Sequence, residues 1–414
     1  MFLKNILLNN NNNGINPIRI GIWGAVGAGK TIYLTKLFEC LEQSTDWRIA
    51  GDQKAQEFIE KNKDDLNNEL KPGRLPKETD PGMNQLEIFR YTITSQSSRF
   101  GNLTIVLEFI DASGEFYENY LGNVKVSAGK ITYNGIIEYL MSCHGIIFLL
   151  DPLRRSETDY QKLLSNLFRE FRSRSRSNVN QPVTPLEQYM AFCVTKVDEE
   201  VAMVNGKIRK KVDLSIQEYQ ELKSEYQDWL WKTATNPDNL VTQIIGRNMS
   251  QSLSKEYAYV EQDSNKRRTH NSKNRCNFYA ISAFGRYQDE YGKLSTVFVD
   301  PQSEIPDSEP ETTNNPEPSI WSNQPTNWDA GFGSNDNNQP PPPPDNINLT
   351  MNPMWEVQQE SSDNIDPNRP TIKQGVPINP MNILVPLEWL ITAIRKHPPV
   401  LVNPKQLYEQ RNVF

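Results

Sequence analysis

The stretch "IRIGIWGAVGAGKT", residues 18–31, decides the fold. It opens with mostly apolar residues, which is typical of a strand buried on both faces of a sheet. Three glycines follow within six positions, Gly24, Gly27 and Gly29, and after them come Lys30 and Thr31. Because glycine accepts the tight turns and positive φ angles that other residues avoid, the stretch predicts a strand, a tight loop and a helix.

The loop in this stretch fits the pattern GxxxxGK(S/T), which forms a phosphate-binding loop between a strand and a helix. Its backbone amides point at phosphate oxygens, and the helix N-terminus faces the same anion. We expect Lys30 to reach the β- and γ-phosphates and the hydroxyl of Thr31 to bind Mg²⁺. The residues expected to line the phosphates are Gly24, Gly27, Ala28 and Gly29. The alternative is a glycine-rich turn that precedes Lys-Thr by chance.

Up to about residue 300, strand-like and helix-like segments alternate, which predicts an α/β fold with a mostly parallel sheet. The candidate strands are 18–23, 85–94, 103–110, 145–150, 189–194 and 277–281. The polar loop "SQSSRFGN" between the second and third of these predicts an antiparallel hairpin. The candidate helices are 30–43, 53–70, 157–173 and 215–234. We therefore expect a sheet flanked by helices.

The segment "DASGE", residues 111–115, follows the strand at 103–110. In phosphate-loop proteins, an acidic residue at the end of an apolar strand commonly holds Mg²⁺ through water. Asp111 and Gly114 also fit the pattern DxxG, in which the glycine amide senses the γ-phosphate. The alternative is an ordinary strand-to-turn Asp and Gly.

The segment "TKVD", residues 195–198, follows the strand at 189–194. It resembles the NKxD motif of P-loop GTPases of the Ras-like, or TRAFAC, class. The resemblance implies that Asp198 accepts hydrogen bonds from the two N–H groups on the edge of guanine, and that the stem of Lys196 lies over the base. Thr195 stands where the family has Asn. The alternative is a surface loop after a buried strand.

The resemblance implies three further site residues. "SAFG", residues 282–285, is similar to the SAK-type loop, so Ser282 and Ala283 would contact the base. Thr79, in the loop "RLPKETDPG", is the best candidate for the switch threonine that coordinates Mg²⁺, although a neighbouring loop threonine is an alternative. Glu115 stands where Ras-like GTPases place a water-orienting glutamine. Glu115 and Lys30 are therefore the expected catalytic residues, in a Ras-like P-loop sheet most similar to bacterial GTPase-like domains with a DxxGE signature.

Composition divides the chain into four parts. Residues 301–380 hold 16 of the 28 prolines, with 12 acidic and 2 basic residues, so we expect a long disordered insertion there. The expected boundaries are a disordered tail at 1–16, a GTPase domain at 17–300, the insertion at 301–380 and a C-terminal segment at 381–414. In that last segment, "PLEWLITAIRKHPP" places its apolar residues on one face of a helix, and we expect this helix to pack back on the sheet.

These features favour a GTP-binding molecular switch that binds GTP or GDP with Mg²⁺, hydrolyses GTP slowly and works with an effector or regulatory protein. An alternative is a nucleotide-binding scaffold, a pseudo-GTPase, whose acidic segment docks partners through Trp321, Trp328 and Trp355. "TKVD" argues against an ATPase or kinase. The net charge of -7 and the lack of aromatic residues among the basic clusters give no clear sign of nucleic-acid binding. With unpaired cysteines, no membrane-length apolar run and no signal peptide, we expect a cytoplasmic protein.

Overall fold

The computed structural model describes eleven segments of the chain, all in one compact unit. They are residues 18–66, 73–75, 87–98, 103–111, 133–154, 160–175, 187–256, 258–260, 272–289, 291–299 and 371–399. The predicted tail at 1–16 and residues 301–370 of the predicted insertion lie outside them.

Strands and helices alternate along the described segments. The strands are β1 (Ile18–Gly24), β2 (Trp47–Gly51), β3 (Gly73–Arg74), β4 (Glu87–Ser95), β5 (Thr104–Asp111), β6 (Gly145–Leu150), β7 (Tyr189–Val194), β8 (Val201–Val204), β9 (Lys207–Lys210), β10 (Ala258–Val260), β11 (Ser272–Asn274), β12 (Cys276–Ala280), β13 (Arg286–Gln288), β14 (Leu294–Thr296) and β15 (Thr371–Ile372). The helices are α1 (Lys30–Gln43), α2 (Gln53–Leu66), α3 (Tyr133–Met141), α4 (Tyr160–Ser175), α5 (Ile216–Glu221), α6 (Trp229–Thr233), α7 (Pro237–Ile245), α8 (Arg247–Glu256) and α9 (Val385–Lys396). Within the described segments, no helix combines the length and apolar character needed to cross a membrane.

The centre of the fold is a seven-stranded sheet in the order β12–β7–β6–β1–β5–β4–β2. The five strands β12, β7, β6, β1 and β5 run parallel to one another. In contrast, β4 is antiparallel to β5, and β2 is antiparallel to β4. The predicted α/β class is therefore confirmed, as are the mostly parallel sheet and the antiparallel hairpin. The parallel strands bring the segments that follow β1, β5, β6, β7 and β12 to one edge of the sheet, where α/β proteins bind ligands.

The sheet is buried on both faces because its strands contribute to two separate cores. Along β6, Ile146 and Phe148 face one core, while Ile147 and Leu149 face the other. On the first face, the ring of Phe148 stacks on that of Phe192 from β7, with centroids 4.7 Å apart. Burial on both faces explains why these strands read as continuous apolar runs.

The edge strand β2 is absent from the predicted strands, and the helix predicted at 215–234 is wrong because the chain forms two short helices there. β2 is only five residues long and alternates between buried Trp47 and exposed Arg48, so it carries no continuous apolar signal. The predicted helix breaks between α5 and α6, where Asp228 has a φ angle of 48°. Residues 223–226 are exposed and have no face to pack. The side-chain Nε2 of Gln227 donates to the carbonyls of Tyr219 and Leu222 across the break.

The predicted insertion at 301–380 extends too far, because residues 371–380 belong to the folded unit. Ile372 in β15 is buried in a small cluster with Phe284 and Val297, and β15 pairs with β3. Further along, the amide of Asn379 donates to the carbonyl of Phe284 at 2.9 Å. These few apolar and backbone contacts are with residues distant in sequence, so the local polar composition does not reveal them.

Helix α9 packs on the second face of the sheet. Its residues Leu387, Leu390, Ile391 and Ile394 are all buried in that core. Trp389 lies against the rings of Tyr189 and Tyr279, with centroids 6.1 and 6.2 Å apart. The one-sided apolar pattern in the sequence therefore corresponds to the buried face of the helix.

Replacing Leu390 with Ala should lower the free energy of unfolding by about 2–5 kcal/mol, because it leaves a cavity against the sheet. Leu390 is fully buried. Chemical denaturation followed by circular dichroism measures the change. Thr392→Ala is the matched control, since Thr392 is exposed on the same helix, and it should change the stability by less than about 0.5 kcal/mol. Equal stability of the two variants would contradict this packing role.

Candidate functional site

The glycine-rich loop joins the central strand to a helix, as its sequence predicts. β1 ends at Gly24 and α1 begins at Lys30. Gly27 and Gly29 have φ angles of 69° and 77°, in the left-handed region that favours glycine. Ala28 is buried within the loop, and Thr31 is half-buried at the start of α1. This arrangement places a loop of backbone amides and a helix N-terminus at the same edge of the sheet.

The ammonium group of Lys30 lies across the loop. Its Nζ donates to the carbonyls of Gly24 at 2.9 Å and Ala25 at 3.2 Å, and the residue is buried. A buried cation is costly unless polar groups surround it. These contacts hold positive charge at the loop, where a bound phosphate would meet it.

The loop after β7 is tied to the end of β6. The amide and hydroxyl of Thr195 donate to the carbonyl of Leu150 at 2.9 and 3.2 Å. The Nζ of Lys196 lies 3.0 Å from the Oδ2 of Asp151 in an ion pair, and a Cβ placed on Gly27 would lie 3.4 Å from the same oxygen. The link between the TKVD segment and the phosphate loop therefore passes through Asp151.

Asp151 is a site residue that the sequence analysis misses. Its buried carboxylate also accepts from the amide of Leu153 at 2.8 Å, and its own amide donates to the hydroxyl of Tyr160 at 2.7 Å. The signal is present in the sequence, because Asp151 directly follows β6 as Asp111 ends β5. An acidic residue after a buried parallel strand could have marked it as part of the same edge.

Asp198 of the TKVD segment and Ser282 of the SAFG segment lie in direct contact. Asp198 is 2% exposed, and its Oδ1 accepts a hydrogen bond from the hydroxyl of Ser282. That hydroxyl oxygen accepts in turn from the amides of Phe284 at 3.1 Å and Gly285 at 2.7 Å. Ala283 is half-buried beside it. The SAFG loop therefore holds one carboxylate oxygen of Asp198 in place.

The other carboxylate oxygen of Asp198, Oδ2, is buried and accepts no hydrogen bond from any described residue. Burial raises the pKa of Asp198 from 3.8 to about 6, although the hydrogen bond from Ser282 acts in the opposite direction. A buried acceptor without a donor is destabilising, and buried polar groups are rarely left so. The arrangement suits a ligand that brings N–H donors into the site.

The C-terminal segment supports the SAFG loop from behind. The amide of Ser282 donates to the carbonyl of Met381 at 3.1 Å, and the amide of Met381 donates back at 2.8 Å. Gly285 has a φ angle of 71°, and a Cβ there would lie only 2.0 Å from the carbonyl oxygen of Asn379. Only glycine fits at this position. The loop that orients Asp198 is thus fixed by residues almost a hundred positions further along the chain.

The predicted metal ligands are only partly described. Asp111 ends β5, whose register with β1 pairs Phe109 with Ile22, so the backbone of Asp111 lies beside the start of the phosphate loop. Thr31 begins the helix on the other side of that loop. The described part of the structure does not include the side chain of Asp111 or the residues Thr79, Gly114 and Glu115. A hydroxyl and a carboxylate are hard oxygen ligands of the kind that Mg²⁺ prefers.

Three solved structures resemble this chain at low identity. The elongation factor SelB of Methanococcus maripaludis with a GTP analogue is 10% identical, with a TM-score of 0.22, and the match covers 66% of this chain and 31% of that chain. The Ski7 GTPase-like domain of S. cerevisiae bound to GTP is 11% identical, with a TM-score of 0.27, and the match covers 68% of this chain and 47% of that chain. The Roco2 RocCORdC of Methanosarcina barkeri bound to GDP is 12% identical, with a TM-score of 0.21, and the match covers 60% of this chain and 59% of that chain. This chain spans less than two thirds of each of them. Among curated proteins, none matches it.

The fold assignment rests on the sheet and on a family match. The phosphate loop follows the central strand of a mostly parallel sheet, and the segments that carry Asp198 and Ser282 follow the parallel strands β7 and β12. The sequence model of the Double-GTPase 2 family matches residues 18–244, more than half of the chain. The chain therefore has a P-loop GTPase fold and belongs to the Double-GTPase 2 family.

Proposed function

We propose that this protein binds GTP and GDP with Mg²⁺ and acts as a molecular switch that hydrolyses GTP slowly. The observation that carries the proposal is the buried Oδ2 of Asp198, which accepts no hydrogen bond from the described residues. The edge of guanine presents two adjacent N–H donors, whereas adenine presents a lone pair at the corresponding ring nitrogen. A buried carboxylate therefore favours guanine and penalises adenine.

The phosphates would bind at the opposite end of the site. The amides around Gly27, Ala28 and Gly29 would donate to phosphate oxygens, and Lys30 would turn from the carbonyls of the loop to the β- and γ-phosphates. The stem of Lys196 would cover the base while its Nζ keeps its ion pair with Asp151. Ser282 would orient Asp198, and the backbone at Ala283 would contact the base. The position of each residue in the fold supports the role proposed for it.

Thr31 and Asp111 are the residues that would hold Mg²⁺, with Thr79 as the proposed switch ligand. When bound, the ion neutralises charge on the β- and γ-phosphate oxygens. The position of Thr31 on the first turn of α1 supports this role, because Thr31 directly follows Lys30, the residue proposed to contact phosphate. The amide of Gly114 would sense the γ-phosphate.

Hydrolysis by the isolated protein should be slow, well below about one turnover per minute, because Glu115 replaces the glutamine that orients water in Ras-like GTPases. A carboxylate can hold water, but it brings negative charge toward the γ-phosphate. Phosphate release in a single turnover measures the rate, and Glu115→Gln should change it by a modest factor while leaving GTP affinity intact. Fast multiple turnover would contradict the switch, whereas binding without any phosphate release would favour a scaffold whose partners dock on the acidic segment.

The affinity for GDP should fall about tenfold per pH unit below pH 6, because guanine binds the ionised form of Asp198. The pKa of Asp198 is raised to about 6, so its ionisation opposes folding. This carboxyl therefore stabilises the ligand-free fold below pH 4 and loses that contribution as pH rises through about 6, while guanine affinity increases.

Calorimetric titration with Mg²⁺-saturated GDP between pH 5 and pH 7.5 measures this dependence. The phosphate groups of the nucleotide also titrate, so Asp198→Asn is the control. In this variant the phosphate groups still contribute to the pH dependence of GDP binding, whereas the carboxyl of residue 198 no longer does. Identical pH profiles for the two proteins would show that Asp198 does not need to be ionised for binding.

A further inference from the structure

We infer that Arg286 is a positioning residue for guanine recognition, and that it joins the base-contacting loop to helix α6. Arg286 begins β13, four residues after Ser282, and its side chain is 1% exposed. The inference rests on the proposed guanine site and extends it to a residue that would not touch the nucleotide.

One side of the guanidinium group holds the backbone of the TKVD loop. Its Nε donates to the carbonyl of Asp198 at 3.2 Å, and its Nη2 donates to the carbonyl of Glu199 at 3.4 Å. These bonds fix the peptide that carries the Asp198 side chain, so they limit how far its carboxylate can turn. Ser282 fixes one oxygen of the same carboxylate. Together, the two residues determine where the other oxygen points.

The guanidinium group also contacts the start of helix α6. Its Nη2 lies 3.3 Å from the Oδ1 of Asp228, the residue that precedes α6. Its Cζ lies over the ring of Trp231, 4.9 Å from the centroid. Arginine combines a planar fork of donors with a face that stacks on aromatic rings. A lysine could bond a carbonyl or lie over the ring, but its single ammonium group could not make all of these contacts at once.

The charge of Arg286 shifts the pKa of Asp198 in a direction that an experiment can detect. Burial and the neighbouring Glu199 raise the pKa of Asp198, whereas the positive charge of Arg286 lowers it. Removing the guanidinium charge should therefore move the midpoint of the binding profile to higher pH. A loss of general packing would not by itself predict this shift.

The test compares the binding of GDP, IDP and ADP to Arg286→Gln, Arg286→Lys and Asp228→Asn by competition against a fluorescent guanine nucleotide. IDP lacks the exocyclic amino group of guanine, so the ratio of IDP to GDP affinity reports on the carboxylate position. We expect Arg286→Gln to lower the preference for GDP over both competitors about tenfold and to raise the pH midpoint. Arg286→Lys should have a similar effect on preference, and Asp228→Asn a smaller one, about threefold.

Arg275→Gln is the matched control. Arg275 also pairs with a carboxylate, Glu187, and lies over an aromatic ring, that of Tyr189, but it precedes β12 at the opposite end of the strand. It should leave both the preference and the pH midpoint unchanged.

The outcomes separate this inference from the proposed function. Equal binding of GDP and ADP by the unmodified protein would contradict the guanine site itself. If the unmodified protein prefers GDP and a folded Arg286→Gln variant keeps both its preference and its pH midpoint, the role of Arg286 is overturned. If Arg286→Gln fails to fold, Arg286→Lys and Asp228→Asn decide: reduced preference in both supports the inference, and unchanged preference in either overturns it.

Discussion

Asp198→Asn should weaken GTP binding by at least about a hundredfold and favour a xanthine base instead. The carboxylate of Asp198 can accept from both N–H groups of guanine, and each hydrogen bond to a charged group contributes about 1.5–3 kcal/mol. The side-chain amide of Asn would place an N–H donor where the carboxylate had an acceptor. Two donors would then face each other at the amino group of guanine. Xanthine carries a carbonyl oxygen at that position and can accept from the new amide.

Competition between GTP and XTP measures the change, with Mg²⁺ present in both series. Asp238→Asn is the matched control, because Asp238 is exposed in the first turn of α7 and lies outside the proposed site. The control should retain the preference of the unmodified protein for GTP. If Asp198→Asn binds GTP as tightly as the control does, Asp198 does not contact the base.

Lys30→Ala should weaken GTP binding by about 1.5–3 kcal/mol, or roughly ten to one hundred and fifty times in Kd, by removing a charge-assisted contact with phosphate. The Nζ of Lys30 also bonds the carbonyls of Gly24 and Ala25 in the ligand-free protein. The variant should therefore lose some thermal stability as well. Because the proposed contact of Lys30 is with phosphate and not with the base, the ratio of GTP to ITP affinity should not change.

Isothermal titration with GTP and ITP, together with a thermal melt of each protein, separates these effects. Lys54→Ala serves as the control, since Lys54 is an exposed lysine on α2. A Lys30→Ala variant that is well folded and binds GTP normally would rule out the phosphate role. A variant whose base preference changes would show that the loop and the base site are not independent.

Six of the seven sheet strands could be predicted from local sequence patterns, because four of the six candidates are short continuous apolar runs. β6 and β7, for example, are buried along their whole length, so every residue contributes to the pattern. The glycine-rich loop and the proposed base-recognition residue Asp198 stand out in the sequence for a different reason. Their chemistry requires particular residue types at short spacing, as in the run from Gly24 to Thr31. In both cases the necessary information lies within a few neighbouring residues.

The missed features depend on contacts between residues distant in sequence. Arg286 reaches Asp198 and Asp228 across 88 and 58 positions, and nothing near Arg286 indicates that it is buried. In the sequence, Asp151 looks like any other acidic residue after a strand. Only the fold brings Lys196 beside it to form an ion pair. The break before Asp228 replaces a helix because the exposed residues there have no core to cover. Local sequence patterns do not encode such packing.

The most direct test of the guanine site is competition of GTP and ATP for the unmodified protein, measured against a fluorescent guanine nucleotide with Mg²⁺ at pH 7.5. At this pH the carboxyl of Asp198, whose pKa is about 6, is largely ionised. We predict that GTP displaces the probe at a concentration at least about a hundredfold lower than ATP, because adenine leaves the buried carboxylate without its donors. Equal displacement by GTP and ATP would contradict the assignment of Asp198 as the base-recognition residue.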